Sequence, residues 1–238
     1  MLHNALKTFA VGVACLCLTA CVTRREFVLA PEASGIVIDA ETGEPVEGAV
    51  VRHAGFDSVA PVVTGADGRF TLEGRIEKRT IVTLPMGGLF REFSLVGVAA
   101  PGRADGYASA SYVSGPNLGR PPQARPEVQV LMFAADAAET PLHALLRDCI
   151  DTPEQAHALH IAGLAASIDP ENPPGWFGED TSFALIDHLN QTLPYDTFRS
   201  CPQMDEAYPM FQTQIRPLEA IRNAINNALL PPGLRSSP

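Results

Sequence analysis

The sequence predicts an α+β protein in which a β-rich part is followed by a small α-helical region. Between residues 34 and 135, short apolar runs alternate with polar residues at a period of two, and turn residues recur about every ten positions, as in a β-sandwich. After Asp136 the apolar spacing becomes helical. The 21 Pro and 19 Gly of this 238-residue chain favour many turns and short strands in the first part.

Residues 1–20 have the pattern of a secretory signal peptide. Lys7 lies in a short N-terminal region, and an apolar stretch of about a dozen residues follows, too short to span a bilayer comfortably. An ordinary secretory signal is one interpretation, but Leu18 is large for the small-residue position that such cleavage requires.

The end of this stretch, Leu18-Thr19-Ala20-Cys21, resembles the lipobox of bacterial lipoproteins. The resemblance implies cleavage before Cys21, acylation of its sulfur, and attachment to a membrane of the cell envelope. The residue after Cys21 is Val22 and not Asp, which resembles the pattern of lipoproteins that are sorted to the outer membrane. The resemblance implies that the protein lies at the periplasmic face of that membrane. We expect residues 21–33 to form a tether between the lipidated end and the first folded strand.

Eight runs between residues 34 and 135 predict strands. They are 35–38, 49–53, 59–64, 69–72, 80–84, 93–99, 107–113 and 128–133. Residues 114–126 contain four prolines and predict an extended loop between the last two strands, with a linker as the alternative.

Two segments of this part resemble the carboxypeptidase regulatory-like domain. They are Gly35-Ile-Val-Ile-Asp-Ala-Glu-Thr-Gly-Glu-Pro-Val-Glu-Gly-Ala-Val-Val51 and Thr64-Gly-Ala-Asp-Gly-Arg-Phe70. The family implies a transthyretin-like seven-stranded β-sandwich over residues 34–135. None of the matching residues is a catalytic group.

The matching residues have individual structural roles. Asp39 and Thr42 are suited to bond the backbone of a tight turn, in which Gly43 takes a positive φ. We expect Gly48 to keep the second strand thin where a neighbour approaches, and Gly68 to complete a hairpin turn.

Residues 136–230 predict a helical region, and residues 231–238 a disordered tail. The predicted helices are 141–149, 153–168, 180–193 and 217–230. Thr140-Pro141 and Thr152-Pro153 each place a capping hydroxyl before a proline in the first helical position.

Cys149 and Cys201 are the cysteines left to pair with each other in the processed chain. Cys15 and Cys17 leave with the signal peptide, and Cys21 is acylated in the lipoprotein interpretation. An even remainder in an exported protein predicts a disulfide; two free buried thiols are the alternative.

The net charge of −10 argues against a surface that binds nucleic acid. Loss of Lys7 with the signal makes it −11, which also argues against adhesion to anionic lipids by electrostatics alone. We therefore expect the lipid chains on Cys21 to attach the protein to the membrane.

Histidines provide one pattern that suggests a metal. His157 and His160 are three residues apart on a predicted helix and share a face, with His143 upstream. No acidic or cysteine ligand completes a zinc set, so structural histidines are the favoured interpretation, with no metal and no cofactor. Asp39, Glu41 and Asp67 could suggest calcium, but turn chemistry explains each of them and their spacing is not that of an EF-hand loop.

Trp176 and Phe177 form an aromatic pair in a Pro- and Gly-rich loop. If exposed, they would form a contact surface for a peptide, a glycan or a partner protein. The favoured alternative is that both rings fold back over the helical region.

These observations predict a lipid-anchored envelope protein that serves as a non-catalytic structural or binding module. The alternative is a metal-dependent envelope enzyme, or a hydrolase accessory factor, using His157 and His160. The sequence contains no nucleophile elbow and no phosphate-binding loop.

Overall fold

The computed structural model of the chain describes residues 22–82, 88–115 and 118–230. The predicted signal peptide, Cys21 and the predicted tail lie outside the described residues. The described residues form a mixed α+β fold with nine strands in three sheets and helices towards the C-terminus.

The elements follow the predicted order, strands before helices. The strands are β1 (Val22–Ala30), β2 (Ala33–Asp39), β3 (Val50–His53), β4 (Val62–Val63), β5 (Arg69–Leu72), β6 (Arg75–Val82), β7 (Phe90–Ala99), β8 (Gly106–Ser114) and β9 (Val128–Met132). The helices are α1 (Pro141–Leu146), α2 (Pro153–Ala165), α3 (Thr181–Thr192), α4 (Tyr195–Arg199) and α5 (Met204–Leu229).

Two of the sheets share one apolar core. The first has the strand order β5-β2-β9, in which β2 and β9 are parallel; the second has the order β4-β3-β7-β8 and is antiparallel. Alternate residues of the strands point into this core, among them Val37, Val51, Val96 and Val130.

The third sheet is a two-stranded ribbon of β1 and β6. Its antiparallel register runs from Val22 opposite Val82 to Ala30 opposite Arg75. Most of the expected tether, residues 21–33, is therefore the strand β1. The sequence predicts a strand only from residue 80, because the charged run at 77–79 interrupts the apolar alternation in β6.

The helices form a second core that includes one face of the first sheet. Ile38 of β2 and Leu131 of β9 pack with buried helical residues such as Leu159, Leu185 and Phe211. Both faces of β2 and β9 are thus buried, one against the second sheet and one against the helices.

The last helix is longer than its sequence pattern predicts. Helix α5 begins at Met204 instead of 217 and contains Pro209 and Pro217. Proline lacks the N–H of the helical ladder, so its presence inside a helix costs stability. The buried stripe of α5, including Ala207 and Phe211, outweighs that loss.

The turn after β2 is built as its residues predict. The Oδ1 atom of Asp39 accepts hydrogen bonds from the backbone N–H groups of Glu41 (2.8 Å) and Thr42 (2.9 Å), and Gly43 has φ +73°. Burial alone would raise the pKa of Asp39, but these two bonds and the paired Arg103 guanidinium lower it overall.

The expectation for Gly48 is wrong. No atom lies within 4 Å of the position that a Cβ would occupy there, so nothing requires a thin strand. Its φ of +75° is the reason for glycine. At Gly68 both reasons apply, since φ is +68° and a Cβ would lie 2.6 Å from the carbonyl oxygen of Val37.

Candidate functional site

The outer face of the second sheet forms the floor of a cleft of about 710 Å³. Arg52, Gly97 and Tyr107 lie side by side on β3, β7 and β8. The space that Gly97 leaves holds the Tyr107 ring, whose Cε1 would be 3.5 Å from a Cβ at that position. Leu95 and Phe93 extend this floor along β7.

The walls of the cleft come from three other segments. The first turn of α2 supplies Glu154 and Gln155, and the end of α3 supplies Gln191 and Thr192. The loop after β3 supplies the opposite wall, including Asp57. The lining therefore combines aromatic rings with planar amide, carboxylate and guanidinium groups.

The Tyr107 hydroxyl remains protonated at neutral pH. Burial, with the nearby charges of Asp105 and Glu154, raises the pKa of Tyr107, and Arg52 opposes them only in part. The floor thus offers neutral aromatic surfaces.

His157 fixes the wall of the cleft that α2 provides. Its Nε2 lies 2.7 Å from the Leu131 carbonyl oxygen and its Nδ1 accepts from the Tyr107 backbone N–H at 3.3 Å, so one ring joins α2 to β8 and β9. Complete burial lowers the pKa of His157 to about 4 and keeps the ring neutral.

This geometry leaves His157 no free nitrogen for a metal. The ring of His160 lies against His143, with the ring centroids 5.6 Å apart, while His157 faces the strands. Within residues 22–82, 88–115 and 118–230, no group of three or more His, Cys, Asp or Glu side chains is placed to hold a metal ion. His157 and His160 are therefore not placed to bind one metal ion as a pair.

A second buried histidine, His188, joins α3 to β8 and belongs to none of the motifs in the sequence. His188 Nδ1 lies 3.2 Å from both Ser109 Oγ and Thr192 Oγ1, and burial lowers its pKa to about 3. The adjacent Asp187 accepts a hydrogen bond from Ser111 instead, so these groups do not form a catalytic triad. The feature of the sequence that indicates polar contacts on this side of β8 is the alternation of Ser with Ala along the strand.

Trp176 and Phe177 are half-buried and pack on the helical core. The indole of Trp176 also covers the turn after β2, because a Cβ at Gly43 would lie 2.2 Å from its Cδ1. This position favours the interpretation that the loop folds back over the core.

The structure joins Cys149 and Cys201 in a disulfide, with Cα atoms 5.7 Å apart. Cys149 follows α1 and Cys201 follows the short helix α4. The bond therefore links the beginning of the helical region to the segment that precedes α5.

Comparison of the chain with models of known protein families and with curated proteins found no match. Among the described residues, no helix is both long enough and apolar enough to cross a membrane.

Proposed function

We propose that the protein is a lipid-anchored component of the bacterial cell envelope that binds a glycan without catalysis. The lipobox ending in Cys21 supports the anchoring and the periplasmic face of the outer membrane as its location. The β part is a transthyretin-like sandwich in this proposal. Its support is that the two sheets with a common core contain seven strands and that the turn at Asp39 matches the family pattern.

The lining of the cleft is the observation that carries the proposed ligand. Phe93 is 44% exposed on the floor, although aromatic side chains are usually buried, and the apolar face of a sugar ring packs well on such a ring. Arg52 presents paired donors, and the side-chain amides of Gln155 and Gln191 add further hydrogen-bonding groups that suit neighbouring sugar hydroxyls. In the cell envelope, the abundant glycan of this chemistry is the peptidoglycan strand.

Co-sedimentation with purified peptidoglycan tests this proposal. We expect the wild-type protein to pellet with the glycan and Phe93→Ala to lose at least tenfold in affinity, because the platform for the sugar ring is removed. Phe90→Ala is the matched control, since Phe90 lies on the same strand, is 49% exposed and does not line the cleft. Equal binding by both variants would reject the cleft as the site.

Product analysis tests the non-catalytic part of the proposal. Asp57 and Glu154 both line the cleft, and paired carboxylates are the groups that glycosidases use. We expect intact glycan strands after prolonged incubation with the wild-type protein. Release of soluble fragments that stops in Glu154→Gln would replace the binding proposal with an enzyme.

Mass spectrometry of membrane-extracted protein tests the anchor. The wild-type chain should begin at Cys21 and carry an acyl mass, whereas Cys21→Ser should remain an unprocessed precursor because a hydroxyl does not replace the thiol in thioether formation. A mature chain without an acyl mass would contradict the lipoprotein assignment.

A further inference from the structure

The β1–β6 ribbon is basic in an acidic protein. Its two strands contain five Lys and Arg residues against two Glu residues, while the whole chain carries −10. Each strand contributes to this excess, β1 through Arg24 and Arg25 and β6 through Arg75, Lys78 and Arg79. This positive charge attracts anions locally although the whole chain is negative, because exposed charges farther away than about 8 Å are largely screened at physiological salt.

Two of these arginines are directly opposite each other. Arg25 of β1 pairs in register with Arg79 of β6, and like charges at opposed positions destabilise an antiparallel pair. The Arg79 guanidinium also lies 5.7 Å from the centre of the Phe27 ring and pairs with Glu77. Glu26 likewise pairs with Lys78, so both glutamates of the ribbon are engaged and the two strands keep a net excess of three positive charges.

The position of the ribbon indicates which surface this excess of positive charge meets. Strand β1 begins at Val22, directly after the residue predicted to be acylated, and Arg25 is four residues from Cys21. Even a fully extended chain places Arg25 within about 14 Å of that anchor. In the lipid-anchored protein, the surface within this distance is the layer of phospholipid headgroups.

We propose that the face of the ribbon formed by Arg25, Phe27 and Arg79 binds anionic phospholipid headgroups. This inference rests on the proposed anchoring at Cys21 for its biological setting. The two guanidiniums bind headgroup phosphates, and the Phe27 ring lies at the interface, where aromatic residues are favourable. The contact supplements the lipid chains and holds the anchored protein in one orientation on the membrane.

Vesicle co-sedimentation of the chain that begins at Val22 tests the contact without the lipid anchor. This chain contains every strand and helix described above, and its circular dichroism spectrum checks that it is folded. We expect it to bind vesicles made of one part phosphatidylglycerol and two parts phosphatidylcholine, and to release them as salt is raised. The Arg25→Gln/Arg79→Gln variant should lose at least tenfold in affinity, while its circular dichroism spectrum shows the same fold as the wild type.

The matched control is Arg69→Gln/Arg147→Gln. Both arginines are exposed, each pairs with a glutamate as Arg79 does, and neither lies on the ribbon. This variant should bind as the wild type does. Equal binding to vesicles of phosphatidylcholine alone, or no loss in the ribbon variant, would overturn the proposal. Because the tested chain carries no acyl group, these results are independent of whether Cys21 is acylated.

Discussion

At the scale of single residues, position 43 needs glycine for two reasons that mutation can separate. One is the positive φ of the turn, and the other is the Trp176 indole packed where a side chain would begin. Gly48 has nearly the same φ but open space around it. Substitutions at Gly43 and Gly48 therefore distinguish the effect of backbone strain from the effect of losing the contact between the turn and Trp176.

We expect Gly48→Ala to lower the free energy of unfolding by about 1 kcal/mol, the cost of a left-handed alanine. Gly43→Ala should lower it by roughly 2 to 4 kcal/mol, because displacement of the indole adds to that cost. Trp176 is the single tryptophan of the chain, so its emission reports its own environment. Emission should shift to longer wavelength in Gly43→Ala and stay unchanged in Gly48→Ala. Equal effects in the two variants would mean that Trp176 does not cover the turn.

At the scale of elements, one buried histidine makes the connection between α2 and the strands dependent on pH. The ordinary pKa of histidine is about 6.5, and that of His157 in the folded protein is about 4. Between these values the unfolded chain binds a proton that the folded chain excludes. The contribution of His157 to stability is therefore complete above pH 6.5 and is lost as the pH falls towards 4.

Urea unfolding at a series of pH values measures this effect. The wild-type free energy of unfolding should fall by about 3 kcal/mol between neutral pH and pH 4 from His157 alone, and His188 adds a loss of the same sign. His157→Gln should be less stable at neutral pH but show a shallower slope, because the amide does not titrate. If the free energy of unfolding of His157→Gln falls with pH as steeply as that of the wild type, His157 is not the group whose lowered pKa causes the loss.

At the scale of the whole molecule, the two cores share strands β2 and β9. Val37 and Ile38 are neighbours in sequence, yet one belongs to the core between the sheets and the other to the core with the helices. Loss of the helices would expose Ile38 and Leu131. The sheets and helices should therefore unfold together, although the sequence suggests two separate parts.

Reduction of the Cys149–Cys201 bond tests this cooperativity. The cysteines are 52 residues apart, and a loop of that length predicts a loss of about 4 kcal/mol on reduction. We expect the amide protons of β2 and α3 to lose protection from hydrogen exchange together, and Cys149→Ser/Cys201→Ser to behave like the reduced protein. Helices that open while the amide of Val37 stays protected would show two independent units.

Local signals in the sequence determined much of the fold. Thr140 and Thr152 accept the predicted capping bonds from the backbone N–H groups of His143 and Gln155. The turn at Asp39 also formed as its residues indicate. Each of these features depends on groups within a few residues of each other, so the sequence alone specifies them.

Only the tertiary structure decided how distant segments meet. The pairing of β1 with β6, the burial of both faces of β2 and the cleft above Tyr107 join residues that are far apart in the chain. A periodic pattern shows that a residue has a buried side but does not name its partner. For the same reason the sequence favoured a structural role for His157 without showing that its ring links a helix to two strands.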